Sequence, residues 1–446
     1  MIEELLGRLD QPTSRGLADA VSRAIRDGAL VEGAKLPPIR AVAEALHLSP
    51  TTVSAAWALL SRAGTIHTDG RRGTVVAGLH TSGPVRYRRA LERNTGFDLD
   101  LSSGVPDTTL LPDLGPALRS LPTRSTPNTY LDDAMLPELL DAIRAEWPYP
   151  AEQMAIVDGA MDAQDQIASL FLRYGDRVAV EHPCFPPLID LLESIGVHLI
   201  GVAVDADGIV PHELASAVTD GVRAVFLQTR AHNPTGASLT QARVGQLAAV
   251  LRDTDVMAVE DDSAGAISSS PAFSLGSYLP EQTLHVRSFS KSHGPDLRLA
   301  ALSGPARLVD PIAERRRLGQ GWTSRLLQSV LLDLLTRRSS IDQVERARTT
   351  YARRRTALVD ALAEHGIDLG GGDGINIWLP VRDEPAALVR LASKGIGAAA
   401  GAPFASKPDP RPHLRVTTGL IIDHDYRRIA GELADATQVG AWTGPR

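Results

Sequence analysis

The sequence predicts an α/β protein in two parts, a small helical unit followed by a large domain built on a mainly parallel sheet. Three observations carry that expectation. Within residues 14–60, apolar residues recur at helical spacing in three short segments, and two strand-like runs follow them. From Asp98 onward, short apolar strands alternate with helical patterns, which is how a parallel sheet covered by helices reads in sequence. Inside that second region, the stretch 286–300, VRSFSKSHGPDLRLA, gathers one lysine, two flanking serines and an arginine.

A chain of 446 residues exceeds what one core usually organises, so two domains are expected, over 1–78 and 98–446, with a linker over 79–97. The formal net charge of -7 and pI near 6.0 give no global attraction to nucleic acid, so DNA binding requires a local basic face. No signal-like apolar run opens the chain, and no stretch offers about 18 uninterrupted apolar residues. A soluble, cytoplasmic protein with no membrane partner is therefore expected. The single cysteine, Cys184, excludes an intrachain disulfide and a thiolate zinc cluster, and no metal site is expected.

In the first part, a helix is expected from Ser14 to Asp27, where Leu17, Ala20, Val21, Ala24 and Ile25 share one stripe and Gly28 stops it. A turn over 33–38 leads into a second helix over 39–46. Ser49 and Pro50 read as an N-cap and a first-turn proline. The third helix they start turns Val53, Ala56, Trp57 and Leu60 inward and leaves Thr51, Thr52 and Ser54 outward. The runs 64–68 and 73–77 read as strands joined by Asp69-Gly70-Arg71-Arg72, a hairpin with two guanidiniums at its tip. Nine basic against eight acidic residues over this unit predict modest non-specific affinity from one copy. The linker adds Arg86, Arg88, Arg89 and Arg93, which either contact phosphates or keep the linker soluble.

In the second part, Lys291 draws attention first. A lysine that condenses with an aldehyde must shed its proton near neutral pH, which a desolvated pocket and a nearby guanidinium favour; Arg298 is the expected neighbour. Ser288, Ser290 and the N–H groups of the following turn fit a phosphate monoester, so the expected ligand is pyridoxal phosphate. A strand, a glycine turn and a helix start over 155–163 aim the N–H groups of Ala160 and Met161 at a phosphate. Asn233, after the buried strand 224–227, carries a side-chain N–H able to donate to a phenolate. Strand 256–262 ends in Glu260, Asp261 and Asp262, and a carboxylate against a ring nitrogen keeps that nitrogen protonated. Cys184 reads as an inert buried thiol, since its local sequence holds no basic partner.

The stretch around Lys291 resembles the S-x-S-K-x-x-x-P-x-x-R-x-G/A signature of fold-type I, aspartate-aminotransferase-fold proteins. That resemblance implies a mainly parallel sheet with a smaller C-terminal subdomain, and a Lys291 that holds pyridoxal phosphate as an internal aldimine. It implies that Ser288, Ser290 and Arg298, with Ala160 and Met161, bind the phosphate. Phe185 is to stack on the ring, Asn233 in H-N-P-T-G to meet its phenolate, and Asp261 to pair with its nitrogen, leaving Glu260 and Asp262 solvated or structural. Arg415, in L-R-V-T, becomes the clamp for an effector carboxylate, and Tyr130 a phosphate contact across a subunit boundary. Residues 104–107 and Asn376 fall on the substrate side. The chain departs from this pattern at Ser263 and Ala264, the second standing where the enzymes have a tyrosine; weaker control of the cofactor oxygen follows, with Ser263 acting through water.

The first part resembles the GntR-family winged helix-turn-helix over about residues 12–78, through G-x-L-x-x-G-x-x-L-P-x-x-R, L-x-x-S-x-x-T-V and the hairpin. The resemblance implies that Arg40, Ser49, Thr51, Thr52 and Ser54 approach phosphates and base edges, and that Arg71 and Arg72 reach the backbone or minor groove. Joined, the two parts have the arrangement of MocR-type transcriptional regulators. That arrangement implies a homodimer that binds a double-stranded DNA operator and senses pyridoxal phosphate itself or an amine or amino-acid effector. It implies no physiological enzyme activity beyond a weak transaminase half-reaction. Two alternatives stand beside it: a pyridoxal-phosphate-dependent aminotransferase with a degenerate winged helix, and a cofactor-binding dimerisation scaffold without an aldimine.

Overall fold

The structure, a computed structural model, describes residues 7–9, 11–26, 29–31, 33–62, 66–69, 73–76, 97–121, 134–408, 411–422 and 425–439. The first part holds α1 (Ser14–Arg26), α2 (Ile39–Ala45), α3 (Pro50–Arg62) and the hairpin strands β1 (Ile66–Asp69) and β2 (Gly73–Val76). Leu17, Val21 and Ala24 of α1 meet Val42 of α2, Val53, Ala56, Trp57 and Leu60 of α3, and Ile66 and Val76 of the hairpin in one core. The Ser49 hydroxyl accepts from Thr52 N at 3.0 Å, capping α3 as its sequence predicts. Two details differ from expectation. Asp69 pairs with Gly73 inside the ladder rather than sitting in the turn. The turn before α2 also bridges the hairpin: Lys35 pairs with Val75, Leu36 N donates to Thr74 O at 2.8 Å, and Val76 N donates to Ala34 O at 2.9 Å.

The large part opens with β3 (Leu99–Asp100), α4 (Gly115–Ser120) and α5 (Pro137–Arg144). Its main sheet alternates strand and helix: β4 (Gln153–Val157), α6 (Ala160–Phe171), β5 (Arg177–His182), α7 (Pro186–Ile195), β6 (His198–Asp205), β7 (Gly208–Ile209), α8 (Pro211–Thr219), β8 (Ala224–Gln228), α9 (Gln241–Leu251), β9 (Met257–Asp262), β10 (Thr283–Ser288), α10 (Ser290–His293) and β11 (Ala300–Gly304). The order is β4-β11-β10-β9-β8-β5-β6-β7. β10, β9, β8, β5 and β6 run parallel, while β11 is antiparallel to both its neighbours.

These strands are apolar almost without interruption because helices cover both faces. Val178, Val180, Phe226 and Val259 point to one layer, against Ile167 of α6, Leu188, Ile189 and Leu192 of α7, and Leu308 and Ile312 of α11 (Ala306–Arg317). Their neighbours Ala179, Val225, Leu227 and Ala258 point to the other, against Leu214 of α8 and Val244, Leu247 and Leu251 of α9. The parallel strands all finish at one edge, where a doubly wound sheet gathers ligands.

After α12 (Arg325–Thr336), the long α13 (Arg338–Ala363) leads into a smaller unit. There β12 (Asn376–Pro380), β15 (His413–Thr417) and β14 (Ala399–Ala400) form an antiparallel sheet, covered by α14 (Glu384–Ala392) and α15 (Tyr426–Gln438), while β13 (Ile396–Gly397) pairs with β3. Leu358, Leu362, Ile377, Leu391, Val416 and Leu433 make its core. Among the described residues no helix is long and apolar enough to cross a membrane, and no group of three or more His, Cys, Asp or Glu is arranged to hold a metal.

One buried ion cluster locks the sheet beside the site. Asp262 is fully buried, takes two hydrogen bonds from Arg230 at 3.1 and 2.6 Å and a third from Arg287 at 3.2 Å, and Arg287 stacks over Trp147 at 4.7 Å. Burial alone raises a carboxyl pKa; here Arg230 and Arg287 outweigh it and hold Asp262 well below the ordinary carboxylate range. A depressed folded-state pKa contributes stability above the ordinary carboxylate pKa and loses it as pH falls through that range. Asp262→Ala, which leaves two guanidiniums without their carboxylate, is expected to lower unfolding free energy by about 3–5 kcal/mol at neutral pH. Urea unfolding should show that deficit narrowing below pH 4, and an unchanged midpoint would refute the role.

Candidate functional site

Loops at the C-terminal ends of β4, β5, β8, β9 and β10 converge on a cavity of about 210 Å³. Its lining includes Ser103, Gly104, Ala160, Met161, Phe185, Pro186, Gln228, Asn233, Ser263, Ser288, Ser290, Lys291, Arg298, Phe404 and Arg415. The sequence motifs around residues 104, 160, 185, 233, 288–298 and 415 are thus brought to one place, across some 300 residues of chain.

The Lys291 amine lies deep within the cavity, and burial pushes its pKa below the ordinary lysine value; Asp261 opposes that shift and Arg415 adds to it. Asp261, at the end of β9, is pushed the other way, upward, again chiefly by burial, although its carboxylate accepts a hydrogen bond from Ser263 Oγ at 2.5 Å and the Gln164 side chain of α6 also favours its charge. One site therefore presses both an amine and a carboxyl toward neutrality. The guanidinium that acts on Lys291 is Arg415, a correction to the expectation of Arg298. The reason is geometric: Arg298 takes a left-handed backbone with φ 48°, uncommon for a bulky residue, and turns its guanidinium toward Gly159.

That turn builds a cradle. At Gly159, with φ 105°, an added Cβ would stand 3.3 Å from Arg298 Nη2. Gly159 begins α6 without any side-chain cap, so the first N–H groups of the helix, at Ala160 and Met161, face the cavity beside Arg298, Ser288 and Ser290. Uncapped amides, two hydroxyls and a guanidinium suit a phosphate dianion.

Asn233 is held by the Gln228 side chain, whose Oε1 accepts from Asn233 N at 3.0 Å. Asn376 Nδ2 donates to Asn233 Oδ1 at 3.4 Å, which fixes the amide with its N–H₂ free to donate elsewhere. Phe185 is half-buried at the cavity wall, and Cys184 beside it is buried, its N–H donating to Phe404 O at 2.8 Å. Arg415 is buried on β15, donates to Ser102 O and lies 5.3 Å from the Phe404 ring centroid; burial lowers its pKa to about 10, still charged near neutrality. Gly104 makes room for it, since a Cβ there would come within 2.8 Å of its Nη1. Asp107 leaves the group and pairs with Arg354 at 2.8 Å.

Several outcomes differ in detail from expectation. Ser263 does not act through water but donates directly to Asp261. Of the two places left open for Glu260 and Asp262, solvated or structural, both take the structural one and are fully buried, Glu260 accepting from Ser274 Oγ at 2.5 Å and Leu275 N at 2.6 Å, with His285 Nδ1 2.7 Å away. Sequence reasoning missed Gln164, Gln228 and Phe404. Gln164 was detectable, four residues after Ala160 and thus on the same helical face; Phe404 lies in a short 3₁₀ turn with no motif.

On the first part, Arg40, Ser49, Thr51 and Ser54 are exposed and Thr52 is half-buried, so the start of α3 presents a polar face. The Ser49 hydroxyl also meets those of Thr51 and Thr52 at 2.6 and 2.7 Å. Lys35, not assigned a role from sequence, lies across Gly73 at the hairpin, 3.1 Å from where a Cβ would stand. Arg71, Arg72, Tyr130 and the linker arginines fall outside the described residues.

Residues 98–429 match the class I and II aminotransferase family, and residues 13–76 match the gntR family of bacterial regulatory proteins. The Salmonella typhimurium vitamin B6 salvage pathway transcriptional repressor PtsJ is 35% identical, over 96% of this chain and 99% of its own. The Corynebacterium glutamicum pyridoxine biosynthesis transcriptional regulator PdxR is 26% identical, over 96% and 97%. Among solved structures, Pyrococcus horikoshii kynurenine aminotransferase superimposes with a TM-score of 0.70 at 20% identity, covering 80% of this chain and 94% of that one, a likeness of fold.

A depressed lysine pKa leaves more neutral, nucleophilic amine at any given pH below the ordinary value of 10.5. Covalent loading of added pyridoxal phosphate, followed by absorbance, should therefore accelerate with pH and level off below 10.5. Lys291→Ala should abolish the covalent band; a midpoint at or above the ordinary lysine value would contradict the burial argument.

Proposed function

Because the chain belongs to the class I and II aminotransferase family and carries a gntR-family domain ahead of that region, we propose that it is a DNA-binding transcriptional regulator whose large domain binds pyridoxal phosphate and reports on it. The observation that carries this reading is one cavity that joins the Lys291 amine to a phosphate cradle of helix N–H groups, hydroxyls and a guanidinium. When bound, pyridoxal phosphate supplies an electrophilic aldehyde and a ring that accepts electron density. Lys291 is the covalent anchor. Asp261 would pair with the ring nitrogen, its orientation fixed by the Ser263 hydroxyl. Phe185, at the cavity wall, would stack on the ring, and Asn233 would donate to its oxygen. Ala160, Met161, Ser288, Ser290 and Arg298 hold the phosphate. Arg415 meets a carboxylate when the ligand is an amino acid, its planar fork suiting that group.

The two named relatives regulate vitamin B6 salvage and pyridoxine biosynthesis, which supports pyridoxal phosphate itself as the signal. The replacement of the enzymes' tyrosine by Ala264 supports sensing over turnover. Ala264 is buried and offers no donor, and the nearby Ser263 hydroxyl is committed to Asp261. The protein acts as a homodimer in this reading. Two apolar side chains in and after the α11–α12 connection, Leu318 at 92% exposed and Leu326 at 58%, support a surface that a second copy covers. The presence of Arg415 and Lys291 in one cavity favours, as a second reading, an aminotransferase with a degenerate winged helix.

Gel-shift titration of the protein's own upstream region, with and without pyridoxal phosphate, tests the proposal. DNA binding whose affinity changes several-fold on loading is expected. Failure to retard the fragment in either state, together with sustained transamination that Lys291→Ala abolishes, would establish the second reading instead. Arg40→Ala should weaken binding to all sequences alike and reduce the salt slope by about one.

A further inference from the structure

Two helices of the large domain begin at the cavity and end together far from it. α6 starts at Ala160 and Met161, and α7 starts immediately after Phe185 with Pro186, all of which line the cavity. At 12 and 10 residues they extend about 18 and 15 Å. Their far ends form a knuckle. After α6 the chain turns through residues 172–176; α7 closes on Gly196, in left-handed conformation with φ 81°. Gly175 N donates to Gly196 O at 2.9 Å, His198 N to Asp176 O at 2.7 Å, and Arg173 N to the Asp176 carboxylate at 2.8 Å.

The Tyr174 ring lies against Gly196, where an added Cβ would stand 2.3 Å from the ring, so only glycine allows this seat. The half-buried Tyr174 side chain also packs against the apolar core of the winged helix, the cluster that includes Leu17, Val42 and Trp57. It is the one large-domain hydrophobic residue packed against that core among the described residues.

We infer that the Tyr174–Gly196 knuckle is the docking site for the winged helix, and that α6 and α7 transmit cofactor occupancy to it as rigid struts. The coupling rests on the reading of the large domain as a pyridoxal-phosphate sensor; the docking does not. Both helices share one packed core, in which Ile167 and Ala168 of α6 and Leu188, Ile189 and Leu192 of α7 sit. A dense core shifts such helices as a unit rather than absorbing displacement along them. A ligand that engages the helix starts more tightly in one arrangement than another therefore biases the knuckle at their ends, and with it the reader domain.

Full-length protein carrying Tyr174→Ala, Tyr174→Phe or Gly196→Ala tests both statements. Hydrogen exchange without DNA, at peptides covering α1 and α3, reads the docking. Tyr174→Ala and Gly196→Ala should each exchange there several-fold faster than wild type, and Tyr174→Phe, which keeps the ring, should match wild type. Retention of the pyridoxal phosphate band identifies variants with an intact large domain, and if one of the two disruptive variants loses it the other decides. Unchanged exchange overturns the docking. DNA affinity with and without pyridoxal phosphate reads the coupling: the wild-type ratio should shrink toward one in Tyr174→Ala. A wild-type ratio retained in full by that variant overturns the strut role. A wild-type ratio of one overturns the sensor reading and the coupling, while the exchange experiment still decides where the winged helix sits.

Discussion

Two adjacent carboxyls at the end of β9 set the character of this protein. Successive strand residues face opposite sides of a sheet, so Asp261 and Asp262, neighbours in sequence, meet different surroundings. Asp262 finds two guanidiniums and becomes a permanent anion that stitches β8, β9 and β10. Asp261 is pushed toward neutrality by burial, against the Ser263 hydroxyl and the Lys291 amine, which favour its charge. The first arrangement closes on itself and the second stays open to a ligand that brings a cation. The remainder of the fold serves to hold that open site at the edge where five strands finish.

Much of this was legible in the sequence because it rests on local spacing. Ser49 and Pro50 specify where α3 begins, since an N-cap and a first-turn proline act within one turn. The strand runs around 178, 225 and 258 are apolar because both faces are covered, and that too is a local signature. The cluster Lys291, Asn233 and Arg415 was accessible only through resemblance, because nothing in spacing says that residues 182 positions apart share a cavity.

What was not legible depended on direction rather than identity. Arg298 is seven residues from Lys291, yet its left-handed backbone turns it to Gly159, and the distant Arg415 supplies the field on the amine instead. Ser263 carries the same hydroxyl whether it meets water or a carboxylate; only the fold decides that it meets Asp261. Phe404 belongs to a segment between short strands, where neither helical nor alternating periodicity exists to be read.

The lone thiol of the chain has a use that follows from its place. Cys184 lies beneath the Phe404 turn, and its own backbone N–H is tied to that turn's carbonyl. The turn belongs to the smaller unit, while the sulfur sits in the apolar core between the sheet and helices α6 and α7, shielded as long as that core stays closed. Its reaction with a maleimide thus works as a stopwatch for opening, with no cysteine elsewhere in the chain to add background.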